Sequence, residues 1–462
     1  MGISTARQWL NDEFATLVTE HHVPGAAVAV LADGEVIEHA AGTINTATGV
    51  EATTDSVFQI GSITKVWVAT LVMQLVDEGK VRLDTPVRRY LPDLRLADES
   101  AAASLTVRHL LTHTGGFEGD LFDVTSGDDT AVKRFVDEAL PEGRQVFAPG
   151  EQFSYNNAAF VVLGRLVEVL RELPWANALR RHLIEPLGMT RVATNPDEAL
   201  RYRTAIGHTR PDRSQPDRWV PANQWGLPWS TGPAGSMLSM TAGELLKLAR
   251  LHLDDGSANG QQLLSKSLVA DMRVPHIDVP QRRDWISRQG LGWDLPDWPG
   301  IEVFGHDGNT IGQSAFLRVF PEHGVAIAML TNGGRAQRLY TDVYGRLVQE
   351  LTSAQMPDPY TVPDAPVPIA DPDRYTGTYG NAVACLDVEA ADNGSLAMTV
   401  SARGGTNALN ERVEPEQYPL MHIGDGMFTV FDDGVAAGSI RLMGDEGGRA
   451  QFLHNHRLNP RE

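Results

Sequence analysis

QIGSITKVW, residues 59–67, sets a serine and a lysine three positions apart inside an otherwise apolar run. The chain has five lysines (65, 80, 133, 247 and 266), and only Lys65 has a serine at the third place before it. On a helix, positions i and i+3 share a face, so Ser62 and Lys65 would be neighbours. A serine hydroxyl is a poor nucleophile until a base takes its proton. Lysine can be that base only if its pKa falls from about 10.4 toward neutrality through burial or a nearby cation. A shift of about three units costs roughly 4 kcal/mol, so such a site must be dry and crowded. Val57, Phe58, Ile60, Val66 and Trp67 supply apolar surroundings. The competing reading has Ser62 as a helix cap and Lys65 on the solvated side, which the spacing alone also allows.

Outward from this stretch, TKVWVATLVMQLVDEGK (64–80) reads as a helix apolar all round, hence buried, with Gly79 as its stop. TAGELLKLARLHLDDG (241–256) reads as a second helix, with Thr241 as N-cap and Glu244 at the capping-box position. Before these, AAVAVLADGEVIEHAAG (26–42) reads as two strands joined at Asp33-Gly34. Far downstream, SAFLRVFPEHGVAIAMLTN (314–332) reads as two strands around a turn at Pro321–Gly324. Strands thus lie at both ends of a large domain with helices between them. Six prolines from Pro357 to Pro372 exclude helix and central strand and favour an extended linker. Beyond it, SLAMTV, GMFTVF and GSIRLMG are short β segments divided by Gly, Asp and Asn, the texture of a small antiparallel barrel or sandwich. The expected division is residues 1–353, a linker over 354–372, and 373–462.

A formal charge of −20 repels a phosphate backbone, so nucleic acid is not an expected partner. The single cysteine, Cys385, excludes an internal disulfide, and no Cys/His spacing suggests zinc; neither metal nor cofactor is expected. MGISTARQWLNDEFATLV interrupts every apolar run with charge. It shows no signal-peptide core or membrane span, and a mobile start, a cytoplasmic location and no membrane partner are expected.

Two further constellations strengthen the catalytic reading. GEQFSYNNAAFVVLG places Tyr155 and Asn157 at the entry to an apolar helix. This can be a turn and N-cap, or a phenol that shares the lysine's proton beside an amide that holds both the lysine and a substrate carbonyl. FGHDGNTIGQSAF sets His306, Asp307 and Gly308 where they precede or open a strand. Alone it is a glycine-rich turn with a surface histidine.

GSITK, YNN and HDG match, in order, the S-x-x-K, Y-x-N and H-x-G motifs, and the chain resembles the serine β-lactamase and penicillin-binding-protein family, class C branch. VPGAAVAV, LTVRHLLTHTGGF, PLGMT and GPAGSMLSM extend the resemblance over roughly residues 8 to 350, and the tail from Tyr375 is similar to a lipocalin-like domain. The resemblance implies an α+β, β-lactamase/transpeptidase-like fold followed by a small all-β barrel. It implies Ser62 as acylated nucleophile, Lys65 as general base, Tyr155 as proton relay and Asn157 as positioner of Lys65 and substrate. His306 stands where many relatives have lysine and would meet Tyr155 or a substrate carboxylate. The oxyanion hole would be the backbone N–H groups of Ser62 and Asn309.

Histidine at 306 removes the fixed cation that relatives use to grip a β-lactam carboxylate. The resemblance then points to stand-alone thioesterases that cyclise non-ribosomal peptides, taking a peptidyl thioester with a D-configured last residue that a carrier protein can present. Alternatives are a D-stereospecific aminopeptidase, amidase or esterase of the same family, and a relative that binds peptides without turnover. Gly308, Trp225, Trp229, Trp293 and, in HNHRLNP, Arg457 are the expected substrate-binding residues. Trp298 is a further candidate wall, and a solvated C-terminal arginine is the plain alternative for Arg457.

Overall fold

A computed structural model describes residues 2–122, 125–212, 215, 217–283, 286–360, 362–391, 395–405, 414–432 and 434–462. The fold is the expected α+β, β-lactamase-like one with a barrel at its C-terminal end. Its centre is a nine-stranded sheet built from both ends of the large domain. Strand Gly25–Ala32 pairs antiparallel with Glu35–Asn45 on one side and with Val325–Thr331 on the other. Asp33 (φ 53°) and Gly34 (φ 76°) make the tight turn between the first two strands. The hairpin Ser314–Phe320/Val325–Thr331 turns at Pro321–Gly324 as read from the sequence.

Strands Gly25–Ala32 and Val325–Thr331 are buried at every position because both faces are covered. Ala27, Ala29, Leu31, Ala326, Ala328 and Leu330 face the helical region. Val28, Val30, Val325, Ile327 and Met329 face the opposite way, onto a layer that includes helices Ile3–Glu20 and Ala336–Thr352. The N-terminal residues expected to be mobile are therefore a packed helix. Ala6, Leu10, Phe14 and Val18, four residues apart, make its buried stripe, which the intervening charges obscure in a linear reading.

On the helical side, Thr64–Asp77 is buried from Thr64 through Leu75, and Gly79 follows its end at φ 69°. Each large aliphatic side chain buried here stabilises the fold by about 1.5–3 kcal/mol. Helix Ala242–Leu253 has Thr241 as its cap, accepting from the Glu244 N–H at 3.1 Å. The Glu244 carboxylate does not complete a capping box; it accepts from the Thr190 N–H at 3.0 Å, tying down a neighbouring loop.

The Pro-rich segment carries no helix or strand among its described residues before a single turn at Pro372–Arg374. It is nonetheless anchored: Met356 and Tyr360 pack on the large domain, and Val367 exchanges hydrogen bonds with His422. The tail is an eight-stranded antiparallel meander, each strand paired with the next. A bridge between Tyr379 and Arg461 brings its first and last strands together, so it is a nearly closed barrel around Tyr379, Leu386, Phe428 and Leu453.

Candidate active site

The chain leaves the short strand Phe58–Gln59, passes through a tight turn at Gly61–Ile63 and enters helix Thr64–Asp77. That path sets Lys65 one turn above Ser62. Lys65 Nζ lies 3.0 Å from Ser62 Oγ and donates to the Ala234 carbonyl at 2.6 Å. Two glycines let other backbone segments reach this turn. Gly61 has φ 51°, and a Cβ on it would lie 2.5 Å from the Asn309 nitrogen. A Cβ on Gly308 would lie 2.0 Å from the Ile60 carbonyl oxygen. Gly308 is thus a close-approach residue and does not line the cavity; the end of strand Phe304–Asn309 is pressed directly against the serine turn.

Burial holds the Lys65 amine well below its ordinary pKa, and the nearby Arg457 guanidinium pushes the same way against Asp120 and Asp294. Burial pushes the Tyr155 phenol the opposite way, above its usual range, although a hydrogen bond with Ser62 works against it. Of the two groups beside the serine, the amine is the one whose lone pair becomes available and the phenol is the one that keeps its proton.

Tyr155 precedes helix Asn157–Arg171, whose N-cap Asn156 accepts from the Ala159 N–H at 2.7 Å. Its ring is flanked by two imidazoles: His113, stacked at 4.3 Å between centroids, and His456, tilted by 31° at 4.8 Å. His113 Nδ1 accepts from the Asn156 N–H at 2.9 Å, and burial first, then Lys65, holds the ring below its ordinary pKa. His456 belongs to the barrel. Its carbonyl accepts from the Tyr155 N–H at 2.9 Å, and the Leu458 N–H donates to Ser154 Oγ at 3.1 Å. The next barrel residue, Arg457, lies 5.2 Å from the Tyr155 ring centre and forms a two-pronged ion pair with the buried Asp120.

His306 sits inside strand Phe304–Asn309 and is 2% exposed. Its Nδ1 lies 2.6 Å from the Asp307 carbonyl oxygen, which can only accept, so Nδ1 carries the proton. Its other ring nitrogen, Nε2, is a buried atom with no hydrogen-bond partner among the described residues. Asp307 is held by the buried Arg318 at 2.6 Å, which fixes the strand. These groups surround a cavity of about 360 Å3 whose walls include Ser62, Tyr155, Asn157, His306, Asn309 and Arg457.

Four expectations change at this level. Asn157 lines the cavity, but its amide donates to Asp120 at 2.7 Å, and the second bond of Lys65 goes to the Ala234 carbonyl. Trp293 is fully buried in the main core, edge-on to His252 and Phe304. Trp298 is likewise buried, against Phe320. Trp225 and Trp229 stand outside the cavity lining: Trp225 Nε1 donates to the Ala205 carbonyl at 3.0 Å, and Leu227 between them, with Phe122, supplies the apolar wall. Asp120, His113 and His456 went unseen in the sequence. The signal for His113 was present in LTHTGGF; nothing near Asp120 or His456 marks either as a partner of Tyr155 or Asn157.

The sequence family described as Beta-lactamase matches residues 10–350. The chain belongs to that family. As a beta-lactamase-family protein it shares its setting with serine hydrolases and acyltransferases. It is 44% identical over 371 residues to penicillin-binding protein 4 of Amycolatopsis lactamdurans, covering 80% of this chain and 96% of that one. Among solved structures, SurE matches 99% of this chain and 100% of its own with a TM-score of 0.76 at 26% identity, and was also solved with D-Leu. A D-amino acid amidase of Ochrobactrum anthropi SV3, in complex with L-phenylalanine amide, matches 70% of this chain and 91% of its own, with a TM-score of 0.59 at 25% identity. Among the described residues, no helix of this family member is long and apolar enough to cross a membrane.

Proposed function

We propose that the protein is a stand-alone thioesterase of the penicillin-binding-protein type. In this reading it releases a non-ribosomal peptidyl thioester with a D-configured last residue and closes it into a ring. Ser62 Oγ attacks the thioester carbonyl while the neutral Lys65 amine takes its proton. The backbone N–H groups of Ser62 and Asn309 receive the developing oxyanion. The C–S bond breaks, and the thiolate takes a proton relayed from the Lys65 ammonium through Tyr155. The peptide's own amine then attacks the ester, its proton passes back through the Tyr155–Lys65 pair, and Ser62 regains its hydroxyl. His306 accepts at Nε2, from Tyr155 or a substrate N–H. Arg457 engages a substrate carbonyl or carboxylate, and Asn157 orients the donor. The same reading places the protein in the cytoplasm, with a peptide on a carrier as substrate and no nucleic-acid or membrane partner.

The observation that carries this reading is the barrel's entry into the site. Arg457 of the tail lies over Tyr155, and the whole-chain likeness to SurE includes the tail, whereas the amidase matches only 70% of this chain. A histidine at 306, in place of the fixed lysine cation, also fits a donor without a free carboxylate at the reacting end. A panel of peptidyl thioesters ending in D- or L-residues tests the proposal. Products lighter than the donor by the thiol alone are expected with D-terminal peptides. Uniform addition of water, or turnover of simple D-aminoacyl amides and esters only, supports the hydrolase reading favoured by the amidase likeness. An unlabelled serine after fluorophosphonate treatment favours binding without turnover.

A further inference from the structure

A second cavity, of about 660 Å3, adjoins the first, and Asp307 and Asn309 line both. Its other walls come from three parts of the chain. They are the start of helix Ala336–Thr352, the aromatic residues Trp219, Phe316 and Tyr360, and the barrel segment around Val435. Asn309 is thus a wall shared with the serine cavity.

Three arginines (210, 335 and 338) and three aspartates (307, 342 and 432) line it, and they are unevenly paired. Asp307 is taken by Arg318, Asp342 pairs with His21 at 2.6 Å, Arg335 pairs with Asp217 at 3.3 Å, and Asp432 has a partner of its own. Arg210 and Arg338 line the cavity and have no carboxylate partner among the described residues. The Trp219 indole nitrogen and the Gln337 amide nitrogen are buried donors with no acceptor among the described residues. Helix Ala336–Thr352 adds to the imbalance: its first turn has no acidic residue and its N-cap Arg335 makes no side-chain cap. Cations at the positive end of a helix are unfavourable unless an anion offsets them. Unpaired buried donors are likewise costly without an acceptor.

We propose that this cavity seats the phosphate of a phosphopantetheinyl thioester. The arm then runs from Arg210 and Arg338 along the aromatic wall to the sulfur beside Ser62. This inference rests on the thioesterase reading and names its donor chemistry. The arm has two sources, coenzyme A and a carrier protein, and both present the same phosphate next to the pantetheine.

The test compares one peptide on three thiols: N-acetylcysteamine, pantetheine and 4′-phosphopantetheine. The phosphate is expected to raise kcat/KM about 10- to 100-fold over pantetheine, as charge-assisted bonds of this kind do. The double variant Arg210→Gln/Arg338→Gln, checked for an unchanged melting profile, is expected to bring that ratio near one. Equal rates with and without phosphate, or a ratio that survives the double variant, overturn the proposal. Calorimetric titration with free 4′-phosphopantetheine against pantetheine reads the site without turnover. Binding that needs the phosphate and both arginines supports the site even where every thioester stays intact, an outcome that sinks the thioesterase reading alone. Coenzyme A and holo-carrier donors, run side by side, then identify the source.

Discussion

The serine turn at residues 59–67 and the barrel turn at residues 454–458 meet at one tyrosine, but they were built by opposite means. The first is a continuous local path: a tight turn feeding a helix sets Ser62 and Lys65 3.0 Å apart, and the distant Ala234 carbonyl and Gly308 only buttress it. The second reaches Tyr155 from three hundred residues away and is held there by a backbone bond to the Tyr155 N–H and by the Asp120–Arg457 ion pair. In the proposed reaction the local path carries the chemistry, and the long-range one shapes the space around it. Substitutions on the first side should therefore remove the reaction, and those on the second should retune it.

The largest effect is expected at Ser62. Ser62→Ala should lower turnover by ~10^4-fold or more and abolish fluorophosphonate labelling seen by intact mass. Residual turnover near the native rate would mean that another nucleophile acts and that the local path has been misread.

Lys65→Met should also cost at least ~10^3-fold in kcat, and it has an opposite effect on stability. The folded-state pKa of Lys65 lies well below its unfolded value near 10.5, so the unfolded chain binds the extra proton between the two. Native stability from this group therefore rises with pH through that window, and the penalty is fully present below the folded pKa. The Met variant escapes it. Thermal melts should show the variant gaining on the native protein as pH falls from about 10.5, with the gap levelling off below the folded value. A pH-independent gap would show that Lys65 is not strained.

On the barrel side, Arg457→Ala should reduce kcat/KM for a peptidyl donor about 10- to 100-fold while leaving serine labelling intact. It also strips Asp120 of its main partner. The stability cost should be about 1–3 kcal/mol, below that of a fully buried pair, because the arginine side chain is 32% exposed. Loss of labelling in this variant would erase the distinction between the two turns.

What the sequence disclosed follows the same division. The hairpins at Asp33-Gly34 and Pro321–Gly324, the buried helix and the three motifs all depend on neighbours within a few positions, where periodicity and turn chemistry act. The errors lie where a side chain chooses a distant partner. Glu244 left its capping box for Thr190, Asn157 turned to Asp120, and Trp293 filled the core instead of the cleft. The N-terminal helix escaped notice because its stripe of every fourth residue is diluted by charge on three sides. Nothing local in HNHRLNP distinguishes a solvated arginine from one placed over Tyr155.

The smallest expected effect is the sharpest test of the comparison. His456 touches Tyr155 through its ring and its carbonyl, and only the ring is removed by substitution. An aromatic pair at this separation contributes about 0.5–1.5 kcal/mol, so His456→Ala should lower kcat/KM by roughly 2- to 10-fold. His456→Phe, which keeps the stack, should recover most of that loss. Both variants should keep the acid limb of the pH–rate profile where Lys65 sets it, since neither alters the burial of the amine. If Ala and Phe behave alike, the ring is a bystander and the barrel acts through Arg457 alone. If the acid limb moves, the barrel turn sets the base as well as the space, and the two regions form one catalytic unit.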